Sequence, residues 1–229
     1  LSLLPSSFQL TTKIVQQVRW EKTIPFRVIL FFTEPFQPSE EYELAIYGIK
    51  DCNGNSQSIP ERVRLQLPSP HQKGDVLLSE VLFNPKSGGV DFVELYNNSP
   101  RLIQLSHWSF SSFENEVRSS PKKISTQTIL FLPKTYLAFT KNKDLLLNYY
   151  PSGCAANIIQ VNELPAYNDD IGSVLVLDSA SIEQEFLRYN EDSHYPLIDD
   201  RNGVSLERLS FSVEANNPEN WFSSASPHY

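Results

Sequence analysis

No apolar pattern in this chain runs longer than a β-strand. Arg27-Val-Ile-Leu-Phe-Phe32, Val76-Leu-Leu-Ser-Glu-Val-Leu82 and Phe92-Val-Glu-Leu-Tyr96 are rich in β-branched and aromatic side chains, and each breaks off at a Pro, Asn or Gly signal. No stretch approaches the roughly 18 apolar residues of a membrane-spanning helix. Short strands at this spacing must cover one another, which predicts an antiparallel sandwich or barrel.

Before Gly74 the pattern predicts strands at 16–20, 27–32, 42–47 and 62–67. After it, strands are predicted at 76–82, 92–96, 103–105, 128–131, 136–139, 173–177, 185–188 and 205–208. One helix is expected over Lys143–Tyr150. Asn142 can cap it, Leu145, Leu146 and Tyr149 share a face, and Pro151 stops it. With only eight glycines, the asparagine pairs Asn97-Asn98 and Asn216-Asn217 are expected to take left-handed turn positions. Leu67-Pro-Ser-Pro-His-Gln-Lys-Gly74 reads as a linker, and it divides the chain into domains at 1–70 and 71–229.

Charge narrows the function. The net charge is −8, and it is uneven: residues up to Gly74 carry 8 basic and 7 acidic side chains, those after it 11 and 20. An acidic surface repels phosphate, so nucleic-acid binding by bulk charge is not expected, and Lys122-Lys123 and Lys141/Lys143 read as solvated loop and helix-start charges. The sequence opens on Leu1 without a charged and then apolar leader, so any secretion signal is expected to lie outside it.

Several segments carry a family resemblance. Val76-Leu-Leu-Ser-Glu-Val-Leu-Phe-Asn-Pro85, Gly88-Gly-Val-Asp-Phe-Val-Glu-Leu-Tyr-Asn97, Asn168-Asp-Asp-Ile-Gly-Ser-Val-Leu-Val-Leu-Asp178, Gly203-Val-Ser-Leu-Glu-Arg-Leu209 and Asn220-Trp-Phe-Ser-Ser-Ala225 follow one another in the order of a lamin tail domain. They resemble most the versions on secreted or surface bacterial proteins. The coiled coil of nuclear lamins has no counterpart before Gly74, so filament assembly does not carry over. Tyr42-Glu-Leu-Ala-Ile-Tyr-Gly-Ile-Lys-Asp-Cys-Asn-Gly-Asn55 is similar to the last hairpin of bacterial Ig-like domains. The fold class implied is all-β: two antiparallel Ig-like β-sandwich domains, the first small or incomplete, the second holding one short helix.

Candidate site residues are few. Alternation puts Phe92, Glu94 and Tyr96 on one face and Val93 and Leu95 on the other. Glu94 then either accepts hydrogen bonds from a neighbouring loop, pairs with Arg208 or Arg101, or faces a ligand. Trp108 and Tyr195, with Trp20, are candidate ligand-facing rings for a carbohydrate. Oxygen-rich turns at Asp51, Asn53 and Asn55 and at Asp169 and Asp170 are weak calcium candidates, since neither has the distal Glu of a complete twelve-residue loop. Trp221 and Phe222, if buried, would pin the end of the sheet by roughly 1.5–3 kcal/mol each.

No catalytic constellation is expected. His71, His107, His194 and His228 lack zinc-ligand spacing, and no Gly-x-Ser-x-Gly elbow accompanies His194. Cys52 and Cys154 fall in different predicted domains and are expected to be free thiols. The sequence thus predicts a non-catalytic structural, adhesion or interaction module, secreted or at a cell surface. Its expected partners are other domains of the same chain and a surface protein or glycan, and it is expected to be a monomer or weak dimer. The alternative is an accessory substrate- or carbohydrate-binding part of an extracellular hydrolase or nuclease.

Overall fold

Strands dominate the computed structural model, which describes residues 3–21, 27–38, 40–50, 53–57 and 59–224 and holds one α-helix among them. The chain divides into two compact units, Leu1–Ser69 and Pro70–Tyr229.

The first unit contains β1 (Phe8–Leu10), β2 (Val15–Trp20), β3 (Val28–Phe32), β4 (Glu41–Ile46) and β5 (Glu61–Gln66), in antiparallel sheets ordered β1-β4-β5 and β2-β3. Leu44 and Ile46, two residues apart on β4, share one face and pack with Phe8, Val15 and Leu30. Tyr42 is buried, its hydroxyl donating to Glu40 Oε2 (2.6 Å) and accepting from the Gln37 amide (2.9 Å). β1 escaped the sequence reading because three residues carry too little periodicity to register.

In the second unit, in chain order, are β6 (Val76–Leu82), β7 (Phe92–Asn97), β8 (Ile103–Gln104), β9 (Ser109–Ser111), β10 (Phe113–Glu114), β11 (Val117–Arg118), β12 (Lys122–Lys123), β13 (Leu130–Phe131) and β14 (Tyr136–Thr140). They are followed by α1 (Lys143–Tyr149), β15 (Ile158–Gln160), β16 (Ile171–Leu177), β17 (Glu183–Asn190), β18 (Leu206–Arg208) and β19 (Trp221–Ser223). A six-stranded sheet runs β15-β14-β7-β6-β18-β19 and a four-stranded sheet β12-β9-β16-β17. Val76, Leu78, Val93, Leu95, Phe139 and Leu206 of the larger sheet share one core with Phe110, Val174, Val176 and Leu187 of the smaller.

One pair departs from the antiparallel expectation. β15 runs parallel to β14, because α1 and the segment around it form the crossover that parallel neighbours require. The helix is capped as predicted: the Asn142 side chain accepts from the Leu145 amide at 3.0 Å. Lys122-Lys123 is not a loop but the short strand β12, paired with β9, and Lys122 bonds to Glu163.

The asparagine pairs do different work from that expected. Among described non-glycine residues, positive φ falls on His107, Asn115, Glu116, Lys134 and Ser181. Asn115-Glu116 forms the two-residue turn between β10 and β11, which needs two left-handed residues. Asn97 is instead fully buried. Its amide nitrogen donates to the carbonyls of Arg101 (2.8 Å), Phe131 (2.9 Å) and Leu132 (3.1 Å), and its oxygen accepts from Ser99. Asn216 Oδ1 accepts from the Arg188 amide, and Asn217 caps a short 3₁₀ turn through the Glu219 amide.

Gly172 on β16 meets Tyr189 on β17 across the ladder, and the phenol lies over the glycine. A Cβ there would approach the ring Cζ to 2.5 Å, while Tyr189 is held by a stack on Phe83 (4.0 Å) and a hydrogen bond to the Asn168 carbonyl (3.1 Å). Gly172→Ala is expected to destabilise the second unit by about 1–3 kcal/mol. Urea titration followed by tryptophan emission measures it, and an unchanged midpoint would refute the crowding.

Candidate functional site

A bulge decides which way β6 presents its acid. Strict alternation from Val76 and Leu78, both in the core, would send Glu80 inward as well. The register slips between Leu78 and Glu80, so Val81 and Phe83 take the core face and Glu80 and Leu82 turn to the other side. On that face, cross-strand partners form one line through all six strands: Phe222, Glu207, Glu80, Glu94, Ala138 and Ile158. Three neighbouring strands thus place three glutamates in direct opposition, with Cβ atoms roughly 5 Å apart.

The Glu80, Glu94, Ala138 and Ile158 part of this line borders a cavity of about 600 Å³, and Glu207 stands next to Glu80 outside its lining. Glu80, Glu94 and Asp200 are its acidic groups and Lys86 its basic one, and Phe92, Leu146, Tyr150 and Ile158 form its apolar part. Helix α1 is fixed over this face by two tyrosine hydroxyls, Tyr149 donating to the Ser87 carbonyl and Tyr150 to the Gly203 carbonyl, both at 2.8 Å. Asp200, Asn202 and Ser205 also border the cavity, and Asp200 Oδ1 shapes its own turn by accepting from the Asn202 amide at 3.0 Å.

Burial governs the electrostatics here. Glu80 is 9 % exposed; desolvation pushes its carboxyl up to about 8, the Ser205 hydroxyl that donates to it pulls down, and the charges of Glu94 and Glu207 push further up. Glu94 is raised for the same first reason, with Ser79 Oγ donating to it at 2.7 Å and Glu207 opposing its charge. Tyr150 is pushed up to about 12 by burial and then by Glu80. No ion pair among the described residues offsets Glu80, Glu94 or Glu207.

Glu94 therefore faces the cavity, and its hydrogen-bond donor is a strand serine, not a loop. Neither arginine reaches it. Arg208 points inward like Leu206, two residues before it, and pairs with Glu185 of the opposite sheet at 2.5 Å, while Arg101 pairs with Asp75. Trp108 does not face a ligand: it is 1 % exposed, in the core, with the His71 ring edge-on at 4.8 Å. Tyr195 is exposed, 5.6 Å from the ring of Phe222, and Trp20 lies in the other unit. Phe222 corrects the expectation of joint burial with Trp221. Neighbours on a strand diverge, so Trp221 enters the core with its Nε1 donating to the Ala215 carbonyl (2.6 Å) and Phe222 turns out.

Of the calcium candidates, Asp51 lies outside the described residues, as do Cys52 and His228. Asn53 and Asn55 sit in the first unit, and Asp169 and Asp170 in an exposed bend. Among the described residues no group of three or more His, Cys, Asp or Glu could hold a metal ion. His71 contacts Asp178 at 3.1 Å, and His194 Nδ1 lies 3.0 Å from Ser223 Oγ. His194 borders a second, polar cavity of about 450 Å³, and burial followed by Arg201 pushes its imidazole down to about 4. Cys154 is a free, exposed thiol at the edge of the larger cavity.

Sequence reasoning reached Glu94 but missed its partners Glu80 and Glu207, whose signal was present only as an acid interrupting an apolar strand. No family model matches the chain, and no curated protein matches it.

Proposed function

We propose that the chain is a non-catalytic binding module of a larger secreted or cell-surface bacterial protein. In this reading the second unit is a lamin tail domain with an Ig-like sandwich fold, and the first is a bacterial Ig-like module. The observation that carries the binding role is the cavity on the outward face of the six-stranded sheet, where Glu80 and Glu94 meet an apolar wall under a bolted helix. Pockets of a few hundred Å³ that mix apolar surface with a few placed polar groups are the usual form of a ligand site. The family motif residues serve the framework: Asn97 ties loops to β7, and Trp221 closes the sheet.

The test pairs binding isotherms with turnover assays on one panel of oligosaccharides, peptides and nucleic acids. Binding without turnover is expected. Hydrolysis that disappears in Glu80→Gln would overturn the proposal.

A further inference from the structure

We infer that the cavity over Glu80 and Glu94, with Glu207 next in the line, is a recognition site for a cationic group carried on an aliphatic stem, an ammonium or guanidinium with several methylenes behind it. The inference rests on the reading of this cavity as a binding site and names the chemistry it selects.

Three observations converge on that chemistry. Carboxyls directly opposite one another on adjacent strands cannot all ionise without repulsion, and here three stand in succession without an ion-pair partner among the described residues. The arrangement is also desolvated, with Glu80 nine-tenths buried. An arrangement that costs folding stability and sits in a cavity marks a functional site. A cation placed over Glu80 and Glu94 would offset that repulsion and favour ionisation of the Glu80 carboxyl, which burial holds protonated near neutral pH.

The second observation is the wall. Leu82, Phe92, Ala138, Leu146 and Ile158 form a separate apolar cluster on the same face, continuous with the acids through the Glu94–Ala138–Ile158 register. A small hydrated metal ion gains nothing from such a surface, whereas methylenes do, at about 0.8 kcal/mol for each one buried. The third is size: about 600 Å³ exceeds what a bare ion needs and suits a flexible side chain or a short polyamine.

Aromatic recognition of a neutral sugar is the competing idea, and the geometry disfavours it. The rings that line the cavity, Phe92 and Tyr150, meet edge-on with centroids 6.5 Å apart, and Tyr96 on the same sheet stacks with Phe211 and Tyr136 at 4.5 and 4.6 Å, so neither set forms a flat platform.

The same cation could come from a free polyamine or from a lysine of a protein partner, and the probes separate these sources. Spermidine, the peptide acetyl-Gly-Lys-Gly-amide and its norleucine counterpart are titrated against the full chain by calorimetry. At least one cationic probe should saturate, with the norleucine peptide at least tenfold weaker than the lysine peptide if the source is a protein. Glu80→Gln/Glu94→Gln should lose at least tenfold in affinity for that probe while melting no lower than the parent chain, which separates lost recognition from lost folding. In a Cys52→Ser background, the bound probe should also slow alkylation of Cys154 at the cavity edge. Equal binding of charged and uncharged peptides, unchanged affinity in the double variant, or no binding of either cationic probe would each overturn the inference. None of these results touches the non-catalytic reading, which falls only to turnover.

Discussion

Arg208→Met should lower the stability of the second unit by about 3–5 kcal/mol, the usual cost of leaving one member of a buried ion pair alone. The Arg208 side chain is 2 % exposed and that of Glu185 10 %. Its guanidinium donates to Glu185 at 2.5 Å and to the carbonyls of Leu78 (3.0 Å) and Val213 (2.6 Å), while Glu185 also accepts from the Leu78 amide at 3.2 Å. The pair thus holds the strand just before the β6 bulge and bridges the two sheets. Desolvation raises the Glu185 carboxyl even though Arg208 and the Leu78 amide pull it down, so removing the arginine strands a buried acid. A double change, Arg208→Met with Glu185→Leu, should recover much of the loss, since apolar replacements of whole buried pairs are often neutral. Chemical denaturation of the three variants decides it. A single variant within 1 kcal/mol of the parent would show that the pair contributes little.

Raising the pH from 6.5 to 8 should destabilise the second unit by about 2 kcal/mol, and Glu80→Gln should flatten that slope. The folded Glu80 carboxyl titrates at about 8 and its unfolded counterpart at 4.5. Between those values the folded protein holds a proton that the unfolded chain has released. The associated stability is therefore complete below 4.5 and declines as pH climbs toward 8. His194 acts with the opposite sign, because its folded imidazole is pushed down to about 4 and the unfolded chain binds the extra proton up to 6.5. Asp91, raised by burial to about 6, adds to the Glu80 trend at lower pH. The interval above 6.5 isolates Glu80, and melting temperatures across it, parent against variant, supply the measurement. Parallel slopes would place the proton elsewhere.

The strands were legible in the sequence wherever one face is apolar: Val76–Leu82 has the bounds predicted, and Phe92–Asn97 and Tyr136–Thr140 differ by a residue. The helix was legible through its cap and its proline stop. Strands such as Ser109–Ser111 and Lys122–Lys123 were not, because three and two residues are too short to show a period. The direction of Ile158–Gln160 was equally hidden, since three residues pair as readily either way and the crossover sets the outcome. The glutamate line depends on a single slipped residue near Ser79. A two-residue period read along β6 assigns Glu80 to the wrong face, and only cross-strand register reveals that Glu207 and Glu94 flank it.

The register of β6 has a consequence for biosynthesis. Its second neighbour in the sheet, β18, is formed by residues more than a hundred positions later, so a nascent chain carries Val-Leu-Leu-Ser-Glu-Val-Leu with one edge open until those residues emerge. Such an edge is a template for joining other chains. The kink at Ser79 and the acid at Glu80 interrupt that template midway, so the features that prepare the cavity also act as gatekeepers against aggregation until the closing strands arrive.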